Sequence, residues 1–172
     1  MLEQHANVVR FVSLAGEVVG RKKLQKMVYI AKKLDYPFNE KYHFHMYGPY
    51  SEELTLRVEE LCTMGFLSER KEDKGAYQQY RYTVTEEGTS FTDCFARETL
   101  DLTKVVDALN TQSSRFLELV STLLYFDALS REEQVAKLRV VKAKLNFTDE
   151  EIERAFQFID KLEQFKNDTR RV

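Results

Sequence analysis

Apolar positions along the first half of the chain change period several times. Val8, Phe11, Val12 and Ala15 recur at helical spacing, Val18 and Val19 continue the series, and Gly16 and Gly20 punctuate its end. From Arg21 to about Asp35, Leu24, Met27, Val28, Ala31 and Leu34 mark one face of a second helix, which Pro37 stops. Between Phe38 and Tyr47 the pattern turns to alternation. Tyr42, Phe44 and Met46 point one way and His43, His45 and Tyr47 the other, which predicts a short strand or extended arm. Gly48-Pro49 reads as a turn, and Ser51 as the N-cap of a third helix with Glu52 and Glu53 in its first turn. Leu54, Val58, Leu61 and Cys62 form its apolar stripe, and Gly65 stands where a helix C-cap belongs. Phe66 to about Arg70 and Tyr77 to Val84, joined by the charged turn Lys71–Gly75, read as a β-hairpin, with Thr85 placed to cap the next helix.

The second half is helical throughout. Val105, Val106 and Leu109 form one stripe, and Phe116 to Phe126 is apolar on nearly every side, as a central buried helix should be. Ser130-Arg131-Glu132-Glu133 and Thr148-Asp149-Glu150-Glu151 both match the capping box and start two more helices. The first is expected to bury Val135, Leu138, Val141 and Leu145, the second Ile152, Phe156, Ile159 and Leu162. The order helix, helix, strand, helix, hairpin is that of a winged-helix domain, an analogy of layout. The expected fold is therefore α+β and mostly α. A winged-helix-like region over residues 1–97, with its short strand and hairpin, packs on a helical bundle over residues 98–172.

Composition narrows the class. The 172 residues are 43% hydrophobic and 31% charged, enough for a sizeable core without disulfides or a structural metal. Lys plus Arg number 26 against 28 for Asp plus Glu, so a polybasic protein held on nucleic acid by its overall field is excluded. Two prolines and six glycines leave no room for long linkers. Cys62 and Cys94 make no disulfide framework and no cysteine-rich metal cluster. No apolar run approaches a membrane span, and Met1-Leu2-Glu3-Gln4-His5 has no charged region leading into an apolar one, so a cytosolic protein without membrane contact is expected.

Candidate chemistry is sparse. His43 and His45 put two imidazoles on one strand face, but no third or fourth ligand has metal-site spacing, and no metal or cofactor is expected. Cys62 on its apolar stripe and Cys94 between Phe91 and Phe95 read as inert core thiols. There is no Gly-rich phosphate loop and no Gly-x-Ser-x-Gly, and the carboxylates sit at helix starts and outward faces, so no catalytic residue is assigned. Carboxylates converging from distant segments remain the route by which an enzyme would arise.

Charge also argues against simple groove reading. The helix before the hairpin carries Glu52, Glu53, Glu59 and Glu60 against Arg57 alone. At about 100° per residue, Glu52, Leu56, Glu59 and Thr63 share its outward face. An acidic face repels the phosphate backbone it would have to approach. Positive charge gathers instead on the second helix: residues 1–34 hold seven basic side chains against Glu3 and Glu17. Lys22, Lys26 and Lys33 line up there with Tyr29 beside them, a stripe that could bind phosphate or an acidic protein surface, or simply be solvated. In the hairpin, Arg70, Lys71, Lys74 and Arg81 could touch a nucleic-acid backbone as a wing does, with Glu69, Glu72 and Asp73 interleaved. Tyr47 and Tyr50 flank Gly48-Pro49, more aromatic surface than a turn needs and of the kind used at interfaces.

Gly20-Arg21-Lys22-Lys23-Leu24-Gln25-Lys26-Met27-Val28-Tyr29-Ile30-Ala31, followed by Tyr47-Gly48-Pro49-Tyr50-Ser51-Glu52-Glu53-Leu54, resembles the Panacea domain of SocA-like antitoxins. In that family a Lys-Leu-Gln-Lys-Leu-type helix precedes a Tyr-Gly-Pro or Trp-Gly-Pro turn. The chain looks closer still to the YwgA-like proteins of Gram-positive bacteria. The resemblance covers about residues 20–67 and implies a non-enzymatic, mostly helical module that neutralises a toxin or serves as an adaptor by direct protein contact. The spacer between the motifs is short, no Trp is present, and the helical half is not a standard Panacea tail. A protein partner held by Lys22, Lys26, Tyr29, Tyr47, Gly48, Pro49 and Tyr50 is the expected function. A winged-helix regulator touching DNA through Lys22, Lys26, Lys33, Arg70, Lys71, Lys74 and Arg81 is the alternative. A second copy of the chain is a further partner to consider, because something would have to cover Leu56 if its face is an internal or dimer contact.

Overall fold

In the computed structural model, residues 2–95 and 101–170 are described. The periodicity of the first 34 residues becomes two helices of equal length, α1 (Glu3–Ala15) and α2 (Arg21–Lys33), joined through strand β1 (Val18–Val19). Val18 and Val19 thus do not prolong a helix. They pair antiparallel with Tyr82 and Arg81, and Val18 is fully buried. β-Branched residues fit a pleated half-buried surface better than a helix end, and here a strand was waiting to take them. α2 ends at Lys33, two residues earlier than its apolar stripe suggests. Asp35 turns left-handed at φ 66° ahead of Pro37, whose ring disfavours helical backbone just before it.

The hairpin consists of β4 (Leu67–Asp73) and β5 (Gln78–Val84), and with β1 it makes a three-stranded antiparallel sheet in the order β1–β5–β4. A second, two-stranded sheet pairs β2 (His43–His45) with β3 (Gly48–Tyr50) in the register His43↔Tyr50, Phe44↔Pro49, His45↔Gly48. The turn is therefore Met46-Tyr47, and Gly48-Pro49 is strand. Pro49 has no N–H to give, so Phe44↔Pro49 must be a non-hydrogen-bonded pair, and the pairs on either side carry the ladder. Gly48, at φ +94°, supplies the backbone conformation that the tight return requires.

Helix α3 (Glu52–Thr63) starts where expected: the Ser51 hydroxyl accepts the Leu54 N–H at 3.1 Å. Thr85 caps α4 (Glu86–Thr92) the same way through the Gly88 N–H at 3.0 Å. The remaining helices are α5 (Thr103–Asn110), α6 (Ser114–Tyr125), α7 (Arg131–Val141) and α8 (Asp149–Arg170). Both start signals cap: Thr148 and Glu151 exchange the two bonds of a full capping box, whereas at Ser130 the hydroxyl accepts the Glu133 N–H and donates to the Glu133 carboxylate. The Arg115 guanidinium and the Thr148 amide hold the Glu151 carboxyl down at about 2.

Helix α6 is buried from Phe116 to Leu124 except at Glu118, and it packs on α2, α7 and α8. α7 is wetter than its apolar count suggests. Leu138 is buried, but Val135 and Leu145 are half-buried and Val141 is 39% exposed. It rests on α6 through Leu138 and through Gln134, which donates to the Leu123 carbonyl at 2.8 Å, leaving its other side to water. Cys94 is exposed rather than core, because the Phe66 and Phe91 rings stack at 4.4 Å and close that contact without it. The expected junction at residues 97–98 lies outside the described residues. One apolar core nevertheless runs from Val8 and Met27 through Leu117 and Leu123 to Leu162, across both halves. The architecture is α+β and mostly helical, and among the described residues no helix is long and apolar enough to cross a membrane.

Candidate functional site

The two motifs singled out in the sequence meet because Gln25 ties them together. On the inner face of α2, its amide donates to the Ser51 carbonyl at 2.9 Å and to Thr55 Oγ1 at 3.0 Å, while its oxygen accepts the Ser51 N–H at 2.9 Å. The start of α3 is thereby clamped to α2, and the β2–β3 hairpin between them is pressed onto α2 and α6. A Cβ at Gly48 would meet Ser121, Glu118 and Thr122 of α6 at 3.7–3.8 Å, so the hairpin backbone stands about one side-chain atom from that helix. A groove of about 410 Å³ opens between α2, the hairpin, α3 and the sheet. Leu24, Leu54 and Val58 give it an apolar lining, Tyr47, Pro49 and Tyr50 one wall, and Tyr82 with Glu69 the far end.

Polar groups around the groove are held in place. Tyr50 and Thr55 hydroxyls are hydrogen-bonded at 2.8 Å, and the His45 ring lies against Tyr50 with centroids 5.2 Å apart. At the far end, Tyr82 donates to Glu69 at 2.6 Å and accepts from Arg21 at 3.1 Å. Burial, then the Glu69 contact, pushes the Tyr82 hydroxyl far above the usual phenol range. Beneath the hairpin, Glu118 sits between two lysines: Lys142 Nζ at 2.8 Å and Lys26 Nζ at 3.8 Å. Lys142 also donates to the Met46 carbonyl at 2.7 Å, tying the turn to the segment after α7. Burial lowers the Lys26 pKa below its ordinary value; Glu118 opposes that effect and Lys22 and Lys142 add to it.

The expected partner-binding residues divide. Lys22, Lys26, Tyr47, Pro49 and Tyr50 line the groove, with the Lys22 ammonium 3.2 Å from the Tyr47 ring centroid. Gly48 does not line it: the space a Cβ would take there faces α6. Tyr29 does not reach it: it is buried between Tyr42 and Tyr125, with ring centroids 4.8 and 6.4 Å away. The solvated basic stripe read along α2 is also interrupted, since Lys26 is 3% exposed and Lys33 pairs with Asp127 at 3.0 Å. A helix packed on α6, α5, β1 and β3 has too little outward face for four side chains in line. Of the wing cations, Arg81 is held by Glu17 and Glu72, whereas Arg70, Lys71 and Lys74 are exposed.

The outward face of α3 is acidic as expected, with Leu56 56% exposed, and its one cation, Arg57, pairs with buried Glu40 at 2.7 Å. Cys62 is half-buried, and desolvation pushes its thiol up to about 11, which suppresses the nucleophilic thiolate. His43 and His45 are exposed on their strand, and among the described residues no cluster of three or more His, Cys, Asp or Glu side chains comes together.

Gln25, Thr55, Glu69, Tyr82, Glu118 and Lys142 belong to the site and were not singled out from the sequence. Glu118 had a signal: it is the one charged residue in the run Phe116–Phe126. Gln25 and Lys26 had one too, as polar positions beside the apolar stripe of α2.

No family model matches the chain. It is 55% identical over 164 residues to "Uncharacterized protein YwgA" of Bacillus subtilis (strain 168), a match covering 95% of this chain and 99% of that relative. The chain belongs to the YwgA family. The likeness to YwgA takes in the sheet and the helical half as well as the two motifs, so both walls of the groove lie within the matched length.

Proposed function

We propose that this member of the YwgA family is a cytoplasmic, non-enzymatic protein-interaction module, adaptor- or antitoxin-like, that receives its partner in the groove beside the Tyr-Gly-Pro hairpin. The observation that carries this reading is the groove itself. It joins an apolar lining to a cation resting on an exposed tyrosine, and it is built by the same two motifs that resemble the Panacea domain. Interface cores favour such tyrosines, which offer a large amphipathic surface at low entropic cost. The groove's polar side chains are engaged with one another as structural hydrogen bonds, an arrangement suited to holding shape.

The test uses the tagged full chain in lysate of its native host, with and without nuclease, read by mass spectrometry. A stoichiometric protein that survives nuclease and is lost from the Tyr47→Ala/Tyr50→Ala variant is the expected result. The variant is expected to melt within a few degrees of the parent, and because Tyr50 also bonds Thr55, the Tyr47→Ala single variant serves beside it as the control for folding. Undiminished capture by the folded double variant would overturn the assignment.

The second reading, a winged-helix DNA-binding regulator, draws on the sheet order β1–β5–β4 and the exposed Arg70, Lys71 and Lys74 on its outer strand and turn. It requires a duplex affinity that falls steeply with salt. A binding constant flat between low and moderate salt eliminates it.

A further inference from the structure

Helix α2 opens with Arg21, Lys22 and Lys23 and has no acidic residue in its first turn, although the positive end of the helix dipole disfavours cations there. Two of the three are compensated. Arg21 pairs with Glu69 at 3.3 Å, and Lys23 donates to the Asn110 carbonyl at 2.6 Å. Lys22 instead rests on the Tyr47 ring, and among the described residues no carboxylate stands within ion-pair distance of it. One helical turn further, Lys26 lines the same groove and makes a long ion pair with Glu118 Oε2 at 3.8 Å, while Lys142 holds Oε1 at 2.8 Å. Lys26 and Lys142 thus share the Glu118 carboxylate, while Lys22, at the hairpin end of the apolar groove, has none.

We propose that this end of the groove binds a carboxylate, and that its natural occupant is an extended segment of a partner protein bearing Asp or Glu beside a large apolar side chain. This deepens the protein-interaction reading and rests on it. The carboxylate meets Lys22 at the rim, while the apolar side chain lies along Leu24, Leu54 and Val58. An incoming anion also relieves the repulsion that Lys22 and Lys142 exert on the buried Lys26. The opposite end argues against a polyanion running through the groove. Glu59 and Glu69 line it, and a nucleic-acid strand would carry a phosphate past them at every residue step.

The test is selection of a phage-displayed library of randomised 12-residue peptides on the immobilised full chain. Selected peptides are then synthesised and measured by fluorescence anisotropy. Enrichment of Asp or Glu next to Leu, Phe or Tyr is expected. Lys22→Glu should weaken those peptides at least tenfold, Lys22→Arg should retain them, and replacing the peptide carboxylate by its amide should reproduce the loss. Lys22 is exposed, so its variants keep the parent's melting temperature. Peptides without an acidic bias that still fail on Tyr47→Ala/Tyr50→Ala would overturn the carboxylate while leaving the groove a docking site. If no peptide depends on either Lys22 or the tyrosines, both readings fall. Displacement of the selected peptides by a 20-base-pair duplex at equal concentration would also overturn it, in favour of phosphate.

Discussion

Glu118 holds the interior of the site together at the level of single residues. It is 13% exposed, in a stretch of α6 otherwise buried from Phe116 to Leu124, and it faces two lysines that are more buried still. A buried ion pair gives little net stability against an apolar substitute, but removing one partner strands the other. Glu118→Gln therefore leaves Lys26 and Lys142 without a counter-charge, and a loss of about 3–5 kcal/mol in urea unfolding is expected. The pH dependence has a defined sign. Burial keeps the Lys26 pKa below 10.5, so between its folded value and 10.5 the unfolded chain binds more protons than the folded one. Stability from this group therefore rises with pH across that window. In Glu118→Gln the window widens, and part of the deficit relative to the parent is recovered as pH climbs toward 10.5. A deficit that grows with pH would contradict this account.

At the scale of elements, caps and turns decide where each piece begins, and one glycine decides how two pieces meet. Ser51, Thr85, Ser130 and Thr148 all cap as their sequence contexts imply, because a cap needs only the residues within its own turn. The hairpin β2–β3 was half legible. Alternation from Tyr42 to Tyr47 marks a strand, but its partner, Gly48–Tyr50, is too short and too rich in Gly and Pro to announce itself. Gly88 carried no signal at all. A Cβ there would stand 2.2 Å from the carbonyl oxygen of Phe66, the residue just ahead of β4, against which the first turn of α4 sits. On an isolated helix, Gly→Ala gains about 1 kcal/mol. Here Gly88→Ala is expected to lower stability by about 1–3 kcal/mol, the usual cost of forcing an atom into a filled contact. Thermal unfolding by circular dichroism checks the sign, and a rise in melting temperature would refute the close approach.

For the whole molecule, the two halves that differ in hydrophobic period share one core. α2 packs on α6 and α5, and α1 on α5 and α4, so Met27, Val28, Val105 and Leu117 belong to a single apolar cluster. A fragment comprising residues 1–95 would expose the face of α2 that α6 covers, together with Lys26 stripped of Glu118. It is expected to show no cooperative thermal transition, whereas the full chain should unfold in one. A cooperative melt of the fragment would show that the N-terminal region stands alone. The groove depends on the same arrangement, since its hairpin is seated on α6 from the other half.

The sequence by itself determined what is local. Helix periods, four caps and the β4–β5 hairpin follow from residues a few positions apart, whose backbone and side-chain preferences act within one or two turns. Tertiary structure decided the rest. It drew Val18 and Val19 into the sheet beside β5, residues more than sixty positions away, and left Cys94 outside the core. It also sank Lys26 and Tyr29 while leaving Lys22 at the surface, although all three share one helix face on a projection. A helical wheel shows which side chains point together. Whether they meet water or Glu118 depends on α6, some ninety residues along the chain, and long-range packing leaves no periodic trace in the segment it buries.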